Sequence, residues 1–493
     1  MTRGLTPRVP LRDSGIPWLG EIPAHWAVTR LKFVAEVHGG LTLGKNYGTA
    51  TLVEYPYLRV ANVQDGYLDL SDVATILVPE TEAESCLLQA GDVLMNEGGD
   101  ANKLGRGCIW AGEIAPCLHQ NHVFAVRPRL VRSEWLNVWT STEAAKAFFE
   151  SRAKQSTNLA SISATNLKEL PIPVPPADEQ RAIADYLDCE TERLDGLVVA
   201  KERVLGLVAE KRRALITRAV TRGLDPCAPR RDSGIPWRGE IPAHWSATPL
   251  KRSATIIDCK HRTVPFTSEG ISLASIREVQ SWEVDLAAAK MTTEEEYLLM
   301  IEGGREPRPG DVIVSRNATV GAAALVPPGR AQFCMGQDVS LVRPGAELEP
   351  AFLNWLFRSD CVANQITSAS IGATFFRINV EQIKELLIPL PPLDEQRAIV
   401  AHIAAETAKL DALRAAMERT IALLKERRAA LIAAAVTGRI PISLAHCRRT
   451  CIGHNGAGDF ADRSSARKSN FSVRDRSPHA RSTTASSGPR GSS

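Results

Sequence analysis

A chain of 493 residues exceeds what one hydrophobic core holds and implies roughly two to four domains of about 100–200 residues each. With 44% hydrophobic and 23% charged residues it has an ordinary soluble composition, it lacks an apolar run near the roughly 18 residues of a membrane span, and its opening MTRGLTPRVPLRDS lacks the apolar centre of a secretory leader, so a cytoplasmic location without a membrane partner is expected. The net charge of +3 neither demands nor excludes a nucleic acid, because phosphate affinity follows where basic residues cluster rather than their total.

The chain begins with an N-terminal arm, 1–32, containing DSGIPWLGEIPAHW at 13–26, an unperiodic stretch of glycine, proline and tryptophan. It recurs as DSGIPWRGEIPAHW at 232–245, where only Leu19 has become Arg238. Over 12–32 and 231–251, 17 of 21 residues match at an offset of 219, and LKELPIPVPPADEQRAI at 167–183 returns as IKELLIPLPPLDEQRAI at 383–399, offset by 216. One unit of a little over 200 residues is therefore written twice, with like ends and unlike middles.

The first middle, within 33–177, reads as mixed α and β. GGLTLGKN at 39–46 imitates a phosphate-binding loop but offers Asn46 where magnesium needs a hydroxyl, and the second repeat does not reproduce it, so a glycine-rich turn is expected. GDVLM at 91–95 and GDVIV at 310–314 signal a turn and a strand, and VFAVRP at 123–128 and VSLVRP at 339–344 signal matching strands, each followed by a helix, around 135–149 and 352–362. Gln120 and Asn121, aligned with Gln337 and Asp338, read as structural polar residues, as do His25, His119, His122 and His244.

PIPVPP at 171–176 must be extended, and Asp178 with Glu179 suits the first turn of a helix. That helix, 178–222, shows a 4-3 spacing through Ile183, Leu187, Glu190, Leu194, Leu197, Lys201, Val204, Val208, Lys211 and Leu215. A linker, 223–251, carries the second Trp-Pro stretch, 252–393 holds the second mixed domain, and a second helix, 394–440, repeats the seam through Ile399, Ile403, Glu406, Leu410, Leu413, Met417, Thr420, Leu424, Arg427 and Leu431. Two such seams predict an antiparallel coiled coil in which Glu190 and Glu406 approach Lys211 and Arg427.

The remainder, 441–493, is rich in Ser, Arg and Gly and reads as a disordered basic tail. Its arginines would add nonspecific DNA affinity, or the segment is an extension read in an altered frame. The ten cysteines form no CxxC pair and suit a reducing compartment; Cys447 and Cys451 beside His446 and His454 make the one metal-like grouping, in a segment too poor in apolar residues to favour it, so no metal is expected. Methyltransferase, GxSxG and HExxH signatures are missing, which points to a chain without covalent chemistry of its own.

The doubled Trp-Pro stretch, the PIPxPPxxEQ-type lead-in to a long helix, and two dissimilar domains between them resemble the specificity subunit of type I restriction-modification enzymes, over about 10–440. The resemblance implies an α+β fold with two pseudo-repeated target-recognition domains separated by two long helices. It implies that each domain reads one half of a bipartite, non-palindromic site in double-stranded DNA. The helices would dock two methyltransferase subunits, restriction subunits would join where present, and S-adenosylmethionine, ATP and Mg2+ would act on those other subunits, with no cofactor bound by this chain. A single-chain methyltransferase or nuclease, and a duplicated protein scaffold, are the alternatives.

The candidate DNA-binding residues are Asn96, Asn102, Lys103 and Arg106 in the polar loop 96–107 of the first domain, and Arg316 and Asn317 in the loop 315–321 of the second, with Lys260, His261 and Arg262 nearby; Arg and Asn are the side chains best shaped for bidentate contacts to guanine and adenine. The Trp-Pro stretch is identical in two domains that should read different sequences, so it is expected to seat each domain on the helices rather than touch bases.

Overall fold

The computed structural model describes residues 10–99, 104–155, 160–234, 239–369, 377–440 and 442. Prolines set where each repeat passes from strand to helix. Pro171–Val174 pairs antiparallel with Ala27–Arg30, and Leu387–Leu390 with Ser246–Pro249, in two-stranded ribbons whose free edges tolerate the missing N–H donors. Two more prolines then release the chain into helix α1, Ala177–Arg222, and helix α2, Leu393–Val436, of 46 and 44 residues. At ~1.5 Å per residue each exceeds 60 Å.

Both helices open on an Asp-Glu pair that meets the positive end of the helix dipole. Each stops beside a left-handed glycine, Gly223 at φ 70° and Gly438 at φ 66°. At Gly438 a Cβ would lie 2.2 Å from the Pro23 ring, so the close approach also demands glycine.

Each repeat builds the same two sheets. In the first, β1 (Ala35–His38), β2 (Val93–Asn96), β3 (Gly107–Ile109) and β4 (Val123–Pro128) form an antiparallel sheet in the order β1-β4-β2-β3. In the second, β5 (Ala254–Asp258), β6 (Val312–Ser315), β7 (Ala323–Leu325) and β8 (Val339–Pro344) take the order β5-β8-β6-β7. Each repeat adds a three-stranded sheet whose central strand, Val53–Leu58 or Ile271–Ala274, has one parallel and one antiparallel neighbour.

The GDV and VRP signals converge on one interaction. The buried Asp92 carboxylate receives Arg127 Nε at 2.8 Å and Nη2 at 2.9 Å, and Asp311 receives Arg343 at 2.9 and 2.7 Å. The bidentate fork ties β4 to the turn before β2, and β8 to the turn before β6.

The chain divides into two compact units, Met1–Glu190 with Leu431–Ser493 and Thr191–Ala430. The core of the first gathers Trp26, Trp135, Trp139 and Phe149 around Ile183 and Leu187 from the start of α1 and Ala435 and Val436 from the end of α2. The core of the second gathers Trp245, Phe352 and Leu353 around Ile399 and Ile403 from the start of α2 and Ile216, Ala219 and Val220 from the end of α1. Each core thus closes on the beginning of one long helix and the end of the other.

Within the second unit the helices run antiparallel, since Asp195 meets Arg428 at 3.0 Å, Glu202 meets Lys425 at 3.7 Å and Arg212 meets Asp411 at 3.3 Å. The seam departs from its expected register. Leu194, Val208 and Leu410 are buried and Leu215 and Leu424 half-buried, but Leu197 and Leu413 are each 40% exposed. Val198, Thr407 and Ile421 are buried one position along from Leu197, Glu406 and Thr420. Alternate layers therefore fall one residue later, so that among the described residues Arg212, Lys425 and Arg428, rather than Lys211 and Arg427, supply the cations of the interhelical ion pairs. Glu406 is bonded chiefly to Lys409 of its own helix, 2.5 Å away, and Lys211 adds only a minor lowering of its pKa.

Candidate nucleic-acid interface

The frame explains the repeated stretch. Trp26 is buried, its Nε1 donates to Glu179 Oε2 at 2.9 Å, and His25 Nε2 lies 2.8 Å from Glu179 Oε1. Trp245 and His244 hold Glu395 at 2.8 and 2.6 Å in the same way. Arg12 and Arg231 donate to the carbonyls of Trp26 and Trp245, both at 2.6 Å. The next residue, Gln180 or Gln396, accepts from the backbone N–H of Arg132 or Glu349 just before a domain helix, at 2.9 and 2.8 Å. The His-Trp and Asp-Glu-Gln motifs are thus two halves of one joint, and the roles of Glu179, Glu395, Gln180 and Gln396 were missed in the sequence although both motifs recur in both repeats.

The candidate base contacts sit unevenly. Asn102 and Lys103 lie outside the described residues. Asn96 is buried at the end of β2 and donates to the Val63 carbonyl at 2.9 Å, which makes it a structural residue, and Arg106 is half-buried two residues after the next described stretch begins. Arg316 is 3% exposed, pairs with Asp258 at 2.9 Å and donates to Cys259 Sγ at 3.6 Å; its guanidinium is held inside the domain rather than presented to a partner. Lys260 bonds Glu302 at 2.5 Å, Arg262 grips Glu296 at 2.9 and 2.8 Å, and His261 lies 3.2 Å from Asp258. Asn317 stands at a bridge with Arg377.

Strand register also corrects one alignment. Val123 and Val339 open β4 and β8, so His122, not Asn121, is the counterpart of Asp338. His122 Nδ1 lies 2.7 Å from Glu97 Oε2, and Asp338 Oδ1 lies 2.9 Å from Arg377. His119 is buried with Nδ1 on the Val123 carbonyl at 2.7 Å, and burial holds its pKa below 6.5.

Asp258, Cys259 and His261 offer ligand atoms within 4.8 Å of one another, but Arg316 already supplies the positive charge there. The thiols of Cys108 and Cys117 are pushed up to about 12 by burial, and that of Cys334 to about 11, which keeps them from acting as thiolates. Lys45 of the glycine-rich turn pairs with Glu82 at 2.5 Å, and the next regular element is the strand Val53–Leu58 rather than the helix a phosphate loop requires. The 446–454 His/Cys grouping lies outside the described residues. Among the described residues no helix is long and apolar enough to cross a membrane.

The sequence model described as "Type I restriction modification DNA specificity domain" matches residues 23–194 and 287–417. The chain belongs to this family. A similar protein, the putative type I restriction enzyme MjaX specificity subunit of Methanocaldococcus jannaschii, is 24% identical over 394 residues, which cover 78% of this chain and 88% of that one. The type I restriction enzyme EcoBI specificity subunit of Escherichia coli is 21% identical over 448 residues, 87% of this chain and 89% of that one. In fold, the type I specificity-domain chain resembles one solved in a study of complex assembly and conformational transition of the type I R-M system, with a TM-score of 0.66 and 18% identity over 85% of this chain and 99% of that one. The HsdS subunit from Thermoanaerobacter tengcongensis gives a TM-score of 0.50 and 19% identity over 85% and 98%.

Proposed function

We propose that this chain is the DNA sequence-specificity subunit of a type I restriction-modification complex, each recognition domain reading one half of a split, non-palindromic site. The observation that carries this reading is the division of the chain into what is repeated and what is not. Joints, sheet orders and long helices recur, whereas the side chains displayed between them differ. Phosphate contacts position a protein on the duplex and base-edge contacts specify, so a constant frame with variable display is how two unlike half-sites are read at a fixed separation.

In this reading the chain performs no covalent step. Methyltransferase subunits dock on the helices, restriction subunits join that core, and S-adenosylmethionine, ATP and Mg2+ act on those subunits within the cytoplasm. The test is to map methylated bases across the genome of cells expressing this chain with its methyltransferase partner. One split motif with a fixed spacer is expected, and a short contiguous motif overturns the reading.

A further inference from the structure

The two domains share one backbone arrangement at the end of the four-stranded sheet. In the second, Arg316 N donates to the Asp338 carbonyl at 2.8 Å and Ile378 N to the Arg316 carbonyl at 3.0 Å. In the first, Glu97 N donates to the His122 carbonyl and Ile162 N to the Glu97 carbonyl, both at 2.9 Å. The following residue bridges back to the same returning segment, Asn317 opposite Arg377 and Gly98 opposite Ser161. Four positions therefore correspond: Glu97 with Arg316, Gly98 with Asn317, His122 with Asp338, and Ser161 with Arg377. The hydrogen bonds are preserved and all four side chains differ.

This edge also holds the strained backbone of the second domain. Among the described residues, the non-glycine positions in the left-handed region are Ala318 at φ 55° and Asp338 at φ 62°, one beside Asn317 and one under Arg377. Such conformations persist where the surrounding structure over-determines them, and they gather at functional sites. Arg377 is the exposed member of the group, its side chain 48% accessible and its Nη2 2.9 Å from Asp338 Oδ1. Among the described residues its carboxylate partner is Asp338, which orients the guanidinium while other donors of the five-donor fork remain for a base, and that fork matches O6 and N7 of guanine in the major groove. In the first domain the exposed member is His122, its side chain 57% accessible and held by Glu97 at 2.7 Å. An imidazole beside a glycine and a serine presents different chemistry from the same place.

We propose that this edge is a base-reading element of each domain, with Arg377, oriented by Asp338, the specificity-determining residue of the second and His122, oriented by Glu97, that of the first. The proposal rests on the DNA-selecting reading above. It transfers base contact away from the buried Arg316 to a residue 61 positions later in the sequence, and it explains why the two half-sites differ although the backbones agree.

Methylation mapping with the full chain and its methyltransferase partner decides it. Arg377→Ala should relax one base position in one half of the motif, lowering discrimination there by roughly 5- to 150-fold, with the other half and the spacer unchanged. His122→Ala should act on the opposite half. Arg377→Lys keeps the charge without the fork and should relax the same position as Arg377→Ala, so it carries the test if the alanine variant fails to fold. A split motif that neither Arg377 variant alters, or loss of folding in both, overturns this proposal alone. A wild-type chain that gives no split motif brings down the DNA-selecting reading and this proposal with it.

Discussion

Glu179 accepts from Trp26 and bonds His25, and Glu395 does the same for Trp245 and His244, so one carboxylate in each repeat binds a Trp-Pro stretch to the first turn of a long helix. The indole supplies most of the energy, because Trp26 is 2% exposed and packs edge-on against Trp135 at 5.7 Å. Trp26→Ala should cost about 3–5 kcal/mol of stability. Glu179 is partly exposed, and Glu179→Ala should cost only ~1 kcal/mol, mostly from the stranded indole N–H. Thermal unfolding measures both, and the methylation motif should stay the same, since a changed motif would mean that the joint reads bases. His119 adds a pH dependence. Its folded pKa is depressed, so the unfolded chain binds the proton more readily, and stability should fall as pH drops below 6.5, by at most about 1.4 kcal/mol per pH unit. In His119→Gln that part of the slope should disappear from denaturation curves taken between pH 7 and about 5.5.

At the scale of elements, the shifted seam separates leucines that a periodicity count treats alike. Leu194 and Leu410 are buried, and changing either to alanine should cost about 2–5 kcal/mol, whereas Leu197→Ala or Leu413→Ala should stay within ~1 kcal/mol. Chemical denaturation of the four variants checks the register, and equal losses would restore the expected one. Sequence fell short here for a specific reason: α1 places apolar residues side by side at Leu197 and Val198, Val204 and Leu205, and Leu207 and Val208, so more than one 4-3 path is apolar throughout. The partner helix chooses among them, through Asp195 with Arg428 and Arg212 with Asp411. Local signals did better. PIPVPP dictated an extended lead-in, GDV and VRP the matching strands, and the acidic pairs the helix starts, because each depends on backbone sterics or on neighbours a few residues away. The base-reading candidates were less legible, since residue type says that Arg316 suits guanine while only packing shows it 3% exposed and bound to Asp258.

On the scale of the molecule, the repeat is written in the order stretch, domain, helix, yet neither compact unit is one repeat. The first unit takes Leu431 and Ile432 as partly buried neighbours of its core and Ala435 and Val436 as full members, all from the last turns of α2. The second takes Ile216, Ala219 and Val220 from the last turns of α1. Such exchange was beyond a sequence reading, because the contact between Trp26 and Gly438 spans more than 400 residues and leaves no periodic trace. It has an energetic consequence that a linear arrangement of domains would not have. A chain ended after Ala430 keeps every residue of the first recognition domain but strips apolar cover from its core and leaves Pro23 and Trp26 without the Gly438 turn packed on them. Burying an aliphatic side chain contributes about 1.5–3 kcal/mol, so losing two buried residues and three partly buried ones, Ile442 among them, should cost the first unit several kcal/mol. Calorimetry should then show the transition of the first unit moved down by many degrees while that of the second, which is made of Thr191–Ala430, stays in place. An unchanged first transition would mean that residues 1–190 complete their own core, and that the ends of the long helices only adjoin it.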